Sequence, residues 1–352
     1  MKLVTSLVIG MLACAAVTPA LADDHLEAAV DAGAAPYVRA DVQAYLDASA
    51  QRPKMLFTSE LLAKLRNNPA ASSLSSLDLP VGELGAVRDV EMPGPGGKIA
   101  LRLFDNRAER KPGPVVVFYH GGGFVVGSIA THSGLAAEMS RQLDLPVVSV
   151  EYRLAPEAPW PAAPDDAEAA ARWVAENGAA FGREFTGLVI SGDSAGGNLT
   201  LVTTLALREK PAALPVIMQL PIYPTSDMTR TYPSGEDFSD GYGLDSDNMA
   251  LYRKHYAADV NDWRNSPLLA DLTGLPPTVL VTASLDPLRD QGRAYAAKLV
   301  QSGVPTSYYE GEGLIHGFAT FRKAIPSAQA DTTAFLSLAR AMLDTIEASA
   351  EN

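Results

Sequence analysis

Thiols and histidines are scarce in this 352-residue chain. Cys14 is the only cysteine, and the histidines are His25, His120, His132, His255 and His316. One thiol forms no internal disulfide, and five scattered histidines without cysteine partners make no metal-ligand set of the usual spacing. Positive charge is also in short supply. Lys plus Arg total 28 against 41 Asp plus Glu, a formal charge of −13, and no Lys/Arg run occurs. A phosphate backbone needs the opposite sign, so no nucleic-acid partner is expected, nor a basic patch for anionic lipid. The glycine signatures of nucleotide sites are incomplete. Gly121-x-Gly123 has Val126 where the dinucleotide fingerprint needs glycine, and Gly97-Lys98 lacks the rest of a phosphate loop. No cofactor and no metal are expected.

What the chain does have is apolar residues, 47% of the total, with only 20% charged and a mean hydropathy of +0.04. That excludes a disordered polyanion or a collagen-like repeat, and the length allows two domains or one large α/β unit. The first 22 residues stand apart. Lys2 precedes an apolar run from Leu3 to Ala16, Pro19 breaks it, and Ala20-Leu21-Ala22 stands before Asp23-Asp24. This is the layout of a cleaved secretory signal, and it predicts a periplasmic or secreted protein with no stable membrane association once the signal is removed. Cleavage after Ala22 would take Cys14 with it. An uncleaved anchor, or a lipoprotein acylated at Cys14, are the competing readings.

Residues 23–85 read as polar and helical, with a linker at Ser72–Ser76. Val87–Met92 and Lys98–Phe104 read as two strands joined by the turn residues Pro93 to Gly97. Beyond them, Val115–Tyr119, Val147–Val150, Leu188–Ser191, Val216–Leu220 and Thr278–Ala283 are short, continuous and β-branched, as buried parallel strands are. Thr306–Glu310 adds another strand. Helical stretches at 131–142, 164–177, 195–209 and 287–302 alternate with these strands. Such alternation predicts a doubly wound sheet with right-handed crossovers. Residues 225–264, polar, aromatic and Gly/Asp-rich, read as an insertion over the active face.

Gly192-Asp193-Ser194-Ala195-Gly196 follows the apolar run 188–190 and precedes a helical stretch. A strand–turn–helix of this kind, G-x-S-x-G, is a nucleophile elbow, with small residues where side chains would clash. His120-Gly121-Gly122-Gly123-Phe124 follows the strand ending at Tyr119, and consecutive glycines let N–H groups converge on a ligand. Among the histidines, His316 follows the last strand and fits the base for Ser194. His120 reads as stabilising the glycine loop, His132 as a helix cap or surface residue, and His255 as part of the insertion, lining the pocket. Asp286, three residues past the strand ending at Ala283, fits the acid; Asp290 lies a helical turn on and points away. The chain order Ser194, Asp286, His316 is that of α/β-hydrolases. Asn198-Leu199-Thr200 is a sequon on the nucleophile helix, where burial would prevent glycosylation.

These motifs, with Tyr152-Arg153-Leu154-Ala155-Pro156-Glu157, Pro161 to Asp166, Asp286 to Asp290 and His316 to Phe318, resemble the hormone-sensitive lipase family of esterases, in its bacterial branch with Gly-Asp-Ser-Ala-Gly. The resemblance runs from Val115 to Phe318. It implies a mostly parallel eight-stranded α/β-hydrolase sheet with a helical cap. The cap would be residues 23–85 plus the insertion 225–264, the catalytic domain residues 86–352. It implies Ser194 as nucleophile, His316 as base, Asp286 as its partner, and an oxyanion hole of Gly122, Gly123 and Ala195 N–H groups. His120, Phe124, Asp193, Tyr223, Leu244 and Phe318 complete the candidate substrate site. The expected substrate is a small ester, with homodimerisation left open. An amidase, carbamate hydrolase or lactonase on the same residues, or a ligand-binding homologue, are the alternatives; a retained His316 speaks against the last.

The leader is testable by intact mass of the exported protein, which should begin at Asp23. A protein beginning at Met1 and held in the membrane would refute cleavage, and a lipid-modified Cys14 would replace it with lipoprotein processing.

Overall fold

Aliphatic runs without polar alternation need cover on both faces, and a central sheet flanked by helices supplies it. In the computed structural model, described here for residues 35–67 and 76–350, that is where they lie. The expected signal segment, His25 and most of the Ser72–Ser76 linker fall outside the described residues. The chain divides into residues 1–36 and a second unit, Tyr37–Asn352, which contains every element below.

Helices α1 (Ala40–Ala50) and α2 (Ser59–Asn67) come first, then strands β1 (Ala86–Gly94), β2 (Gly97–Asp105) and β3 (Gly113–Tyr119). Next are α3 (Ser133–Leu143), β4 (Val147–Val150), α4 (Ala162–Glu176), β5 (Phe185–Asp193) and α5 (Ala195–Glu209). After β6 (Val216–Ile222) the insertion contributes α6 (Pro233–Asp237) and α7 (Ser246–Tyr256). The chain closes with β7 (Thr278–Leu285), α8 (Arg289–Gln301), β8 (Thr306–Ile315) and α9 (Ala328–Ala350). Sequence patterning located every strand, but it placed no helix at α9, whose apolar stripe becomes legible only against the sheet it covers.

The eight strands run in the order β1-β2-β4-β3-β5-β6-β7-β8. The β1–β2 hairpin is antiparallel in unbroken register from Ala86↔Asp105 to Gly94↔Gly97, and β2 joins β4 antiparallel. All pairs from β4 to β8 are parallel. This is the α/β-hydrolase fold. Between β3 and β5 the strand order reverses, and at such a point the loops leaving the two strands open a crevice at their carboxyl ends. The glycine loop leaves β3 and the Ser194 turn leaves β5, so topology alone brings them together.

One core lies on each face of the sheet. Val116, Phe118, Val189, Leu220 and Val281 pack with α3 and α9 on one side. Val115, Val117, Leu188 and Ile190 pack with Ala163, Ala167, Ala170 and Ala171 of α4 and Leu199 and Val202 of α5 on the other.

The stretch 23–85, expected to be one cap, is divided. In α1, Val42 is buried in the core of the α9 face, Arg39 pairs with Asp331, and Asp41 accepts from Ser327, so α1 belongs to the body. Among the described residues of this stretch, 54–66 reach the cap and the loop beneath it. Lys54 sits 3.0–3.2 Å from Asp240, Asp245 and Asp247, Phe57 stacks on Tyr252, and Arg66 pairs with Glu157. Residues 77–85 return to the body, where Asp78 takes a two-pronged pair from Arg322 at 2.7 and 2.8 Å.

Both members of that pair are sealed, with side-chain exposures of 2% and 1%. Deleting Asp78 leaves the buried Arg322 charge with only the Gln329 amide oxygen at 3.2 Å and the more distant Glu138 carboxylate at 3.8 Å. Asp78→Ala should therefore destabilise the protein by about 3–5 kcal/mol, read from urea unfolding. A loss under about 1 kcal/mol, the range of exposed pairs, would show that the charge finds water instead.

Candidate active site

Ser194 stands between β5 and α5 with φ +56° and ψ −116°, a conformation that a non-glycine residue holds only where its surroundings enforce it. The enforcement is backbone crowding. A Cβ on Gly192 would come within 2.5 Å of the Tyr119 carbonyl oxygen, and one on Gly196 within 2.6 Å of the Tyr119 carbonyl carbon. The two glycines thus let the elbow press against the end of β3. Ser194 N–H donates to Ile222 O, which fixes the turn to β6 as well.

The loop after β3 turns through three positive φ values, Gly122 (+120°), Gly123 (+62°) and Phe124 (+62°). Gly122 O accepts from the N–H groups of Val125 and Val126. The N–H groups of Gly122, Gly123 and Ala195 donate to no acceptor among the described residues, and Gly123, Ser194 and Ala195 face one cavity of about 330 Å³. Three donors left free beside a hydroxyl are the arrangement that holds a developing oxyanion.

His316 joins the hydroxyl to a carboxylate. Its Nε2 is 2.8 Å from Ser194 Oγ and its Nδ1 is 2.7 Å from Asp286 Oδ2. Asp286 is fully buried, and its other oxygen accepts the Leu288 N–H at 2.7 Å. With both oxygens engaged, the carboxylate cannot swing, and His316 presents Nε2 to the serine. Asp290, the rejected acid, instead accepts the Ser234 N–H and pairs with Arg289. Glu310 pairs with Arg293 on the far side of β8.

Beneath the glycine loop lies a buried polar floor. Asp193 Oδ1 accepts the Gly121 N–H at 2.8 Å, and His132 Nε2 lies 3.4 Å from the same oxygen. His120 turns away from the cavity. Its ring stacks on Tyr152 at 4.3 Å, its Nδ1 meets Gly121 O at 2.8 Å, and Tyr152 OH donates to His120 O. Burial, helped by the neighbouring His132 charge, pushes the His120 imidazole down to about 3, so it stays neutral at working pH. Burial also opposes charge on His132 and Asp193, but their mutual attraction prevails. His132 is raised above 6.5 and Asp193 held below 3.8.

Several sequence expectations are corrected here. Phe124 and Leu244 do line the cavity. His120, Asp193, Tyr223 and Phe318 do not; they are 0–3% exposed and form the packing under it. Tyr223 braces the base, its ring 4.8 Å from that of His316, and Phe318 backs Tyr223. His132 holds the N-cap position of α3, but its side chain makes no cap bond; it is not a surface residue and is buried against Asp193. His255 lies outside the cavity wall, with Nε2 3.1 Å from Phe57 O. Asn198 is buried on α5 and donates to Thr225 O and Asn265 O, as burial of the sequon required.

Sequence reasoning missed Tyr252 and Tyr256. They sit one turn apart on α7, a spacing that puts both on one face. Tyr252 covers Gly123, where a Cβ would meet its ring at 2.5 Å, and Tyr256 stacks on Phe124 at 3.9 Å. Arg153 and Asp166 clasp at 2.7–2.8 Å and hold the Tyr152 segment.

A hydroxyl, imidazole and carboxylate in relay beside free N–H donors define a serine hydrolase. Residues 116–320 match the family model described as alpha/beta hydrolase fold. The esterase LipI of Mycobacterium tuberculosis is 36% identical over 265 residues, 73% of this chain and 82% of LipI. An arylesterase of Saccharolobus solfataricus is 33% identical over 288 residues, 80% of this chain and 91% of its own. Among solved structures, an esterase of Pyrobaculum calidifontis superposes with a TM-score of 0.78 at 32% identity, covering 87% of this chain and 99% of that one. The chain belongs to the hormone-sensitive lipase family of esterases within the α/β-hydrolase fold, and it is a carboxylic-ester hydrolase.

The His132–Asp193 pair carries a pH signature. A raised His132 contributes stability that is whole below 6.5 and lost as pH rises through its raised value; a depressed Asp193 contributes stability lost as pH falls through its lowered value. Compared with His132→Gln, the wild type should hold a larger stability advantage at a pH below 6.5 than at an alkaline pH above the raised His132 value. Thermal unfolding of both proteins at the two pH values tests this. An advantage that grows with pH would refute the pairing.

Proposed function

We propose that the protein is an exported carboxylesterase that cleaves short-chain acyl esters through Ser194, His316 and Asp286. The observation that carries the reading is the relay Ser194 Oγ–His316 Nε2–His316 Nδ1–Asp286 Oδ2, at 2.8 and 2.7 Å. Ser194 Oγ attacks the ester carbonyl carbon while His316 Nε2 takes its proton. Asp286 keeps the ring in the tautomer that accepts at Nε2 and stabilises the imidazolium. The carbonyl oxygen, now an oxyanion, receives the N–H groups of Gly122, Gly123 and Ala195. On collapse, the alcohol leaves with the proton from His316. Water, deprotonated by His316, then attacks the acyl-enzyme, and the acid departs as Ser194 recovers its proton. Export rests on the residue pattern of 1–22.

The cavity supports the short-chain preference. Tyr252 and Tyr256 close over Gly123 and Phe124, and the space of about 330 Å³ is shared between both halves of the ester. Each added methylene gains about 0.8 kcal/mol only while it finds apolar room. The described cap offers no broad apolar face: α7 mixes apolar residues with Asp247, Arg253 and Lys254.

Ser194→Ala should abolish ester turnover and labelling by an organophosphate while the fold persists, and Asp286→Asn should lower kcat by up to roughly 10⁴. With p-nitrophenyl esters, kcat/KM should peak between about two and eight acyl carbons and collapse for long-chain glycerides. Full activity in the serine variant, or a label on another serine, would sink the relay. Rates rising through palmitoyl esters, with activation at an oil–water interface, would sink the short-chain reading.

A further inference from the structure

The wall of the cavity beyond Ser194 contains a side-chain amide whose orientation is fixed and half of whose bonding capacity is unused. Gln291, on α8, is 6% exposed. Its Oε1 accepts three hydrogen bonds, from Ser226 N–H at 2.7 Å, Asp227 N–H at 2.9 Å and Thr225 Oγ1 at 3.2 Å. Three donors on one atom settle which end of the amide is oxygen. The NH₂ end therefore points the other way, and it donates to no acceptor among the described residues. Gln291 lines the same cavity as Ser194 and Ala195.

Its neighbourhood is polar and rigid. Thr225 and Asn265 line the cavity beside it, and Asn198 ties them together by donating to the carbonyl oxygens of both. Asn265 is 2% exposed; its Nδ2 donates to Asp259 O, and its Oδ1 has no partner. One wall thus holds an unused amide donor on Gln291, whereas the unpartnered Asn265 Oδ1 is sealed within the protein. A purely aliphatic chain lying there would leave the Gln291 donor unsatisfied, a cost that a site for plain alkyl esters has no reason to carry.

We propose that Gln291 forms a polar subsite that selects esters carrying a second oxygen, an ether or hydroxyl, in the chain that lies against this wall. An ether oxygen accepts from Gln291 Nε2. A hydroxyl oxygen does the same. The inference rests on the esterase reading above and refines its substrate class from short esters to short oxygenated esters. Discrimination of this kind is set by the polar group left unpaired when the wrong substrate binds.

The test replaces single chain methylenes by oxygen. In the acyl arm, p-nitrophenyl pentanoate is compared with its isosteric ethers, p-nitrophenyl 3-methoxypropionate and p-nitrophenyl ethoxyacetate. In the alcohol arm, butyl acetate is compared with 2-methoxyethyl acetate. Each kcat/KM is divided by the same ester's rate of alkaline hydrolysis, which removes the inductive effect of the oxygen. At least one ether should exceed its alkane partner by roughly tenfold, and the arm in which it does so says which half of the ester meets Gln291. Gln291→Glu retains an acceptor for the three donors but has no NH₂ to offer. Whatever its absolute rate, its ether-to-alkane ratio should fall to about one. Equal normalised rates across both arms in the wild type would overturn the subsite, as would an ether preference that survives in Gln291→Glu. Failure of the esterase reading is distinguishable, because it would abolish turnover of pentanoate and butyl acetate alike.

Discussion

Two strand ends pressed together backbone to backbone set the geometry on which the site depends. At Gly192 and Gly196 the turn carrying Ser194 approaches the carbonyl end of β3 so closely that a methyl group at either position would overlap the Tyr119 backbone. This approach holds Ser194 at its strained φ of +56° and sets the glycine loop a fixed distance from the hydroxyl. The strain is of the order of 1–3 kcal/mol and persists because β5 is locked between β3 and β6. The switch in strand order at β3 makes the approach available at all.

Charge buried beneath the loop completes the same device. Asp193, next to the nucleophile in sequence, reaches back to the Gly121 N–H and is balanced by His132. A lone carboxylate there would be costly in so dry a place; paired and hydrogen-bonded, it ties the elbow to the loop. His120 beside it stays neutral, which spares the floor a second positive charge. Tyr152 and Tyr223 then act as spacers, one under the loop and one behind His316.

From above, the loop is held by the cap. Tyr252 and Tyr256 rest on Gly123 and Phe124, and Phe57, from a segment nearly two hundred residues earlier, stacks on Tyr252. The cavity is therefore closed by two distant stretches of chain, while its inner wall, with Gln291 and Asn265, is built from α8 and the end of the insertion. Shape on one side and hydrogen-bonding capacity on the other come from different parts of the sequence.

How much of this was legible in advance follows from the range of each interaction. Strands and their buried character were written in local composition, because a strand covered on both faces must be apolar throughout. The elbow, the glycine loop, Asp286 and His316 were legible for a similar reason: a tight turn or a strand end demands particular residues in a short window. The wall of the pocket was not. His120 and Asp193 stand inside the motifs, yet they turn away from the cavity, since side-chain direction at a loop depends on what packs against it. His132 looked like a helix start and is a buried partner of Asp193, 61 positions on. Tyr252, Gln291 and the division of the N-terminal stretch depend on contacts between segments far apart in the chain, and no local pattern encodes which distant surface a side chain will meet. The sequence by itself determined the sheet and the candidate site residues; only the tertiary structure decided what surrounds them, because enclosure is a property of packing between elements and not of any one of them.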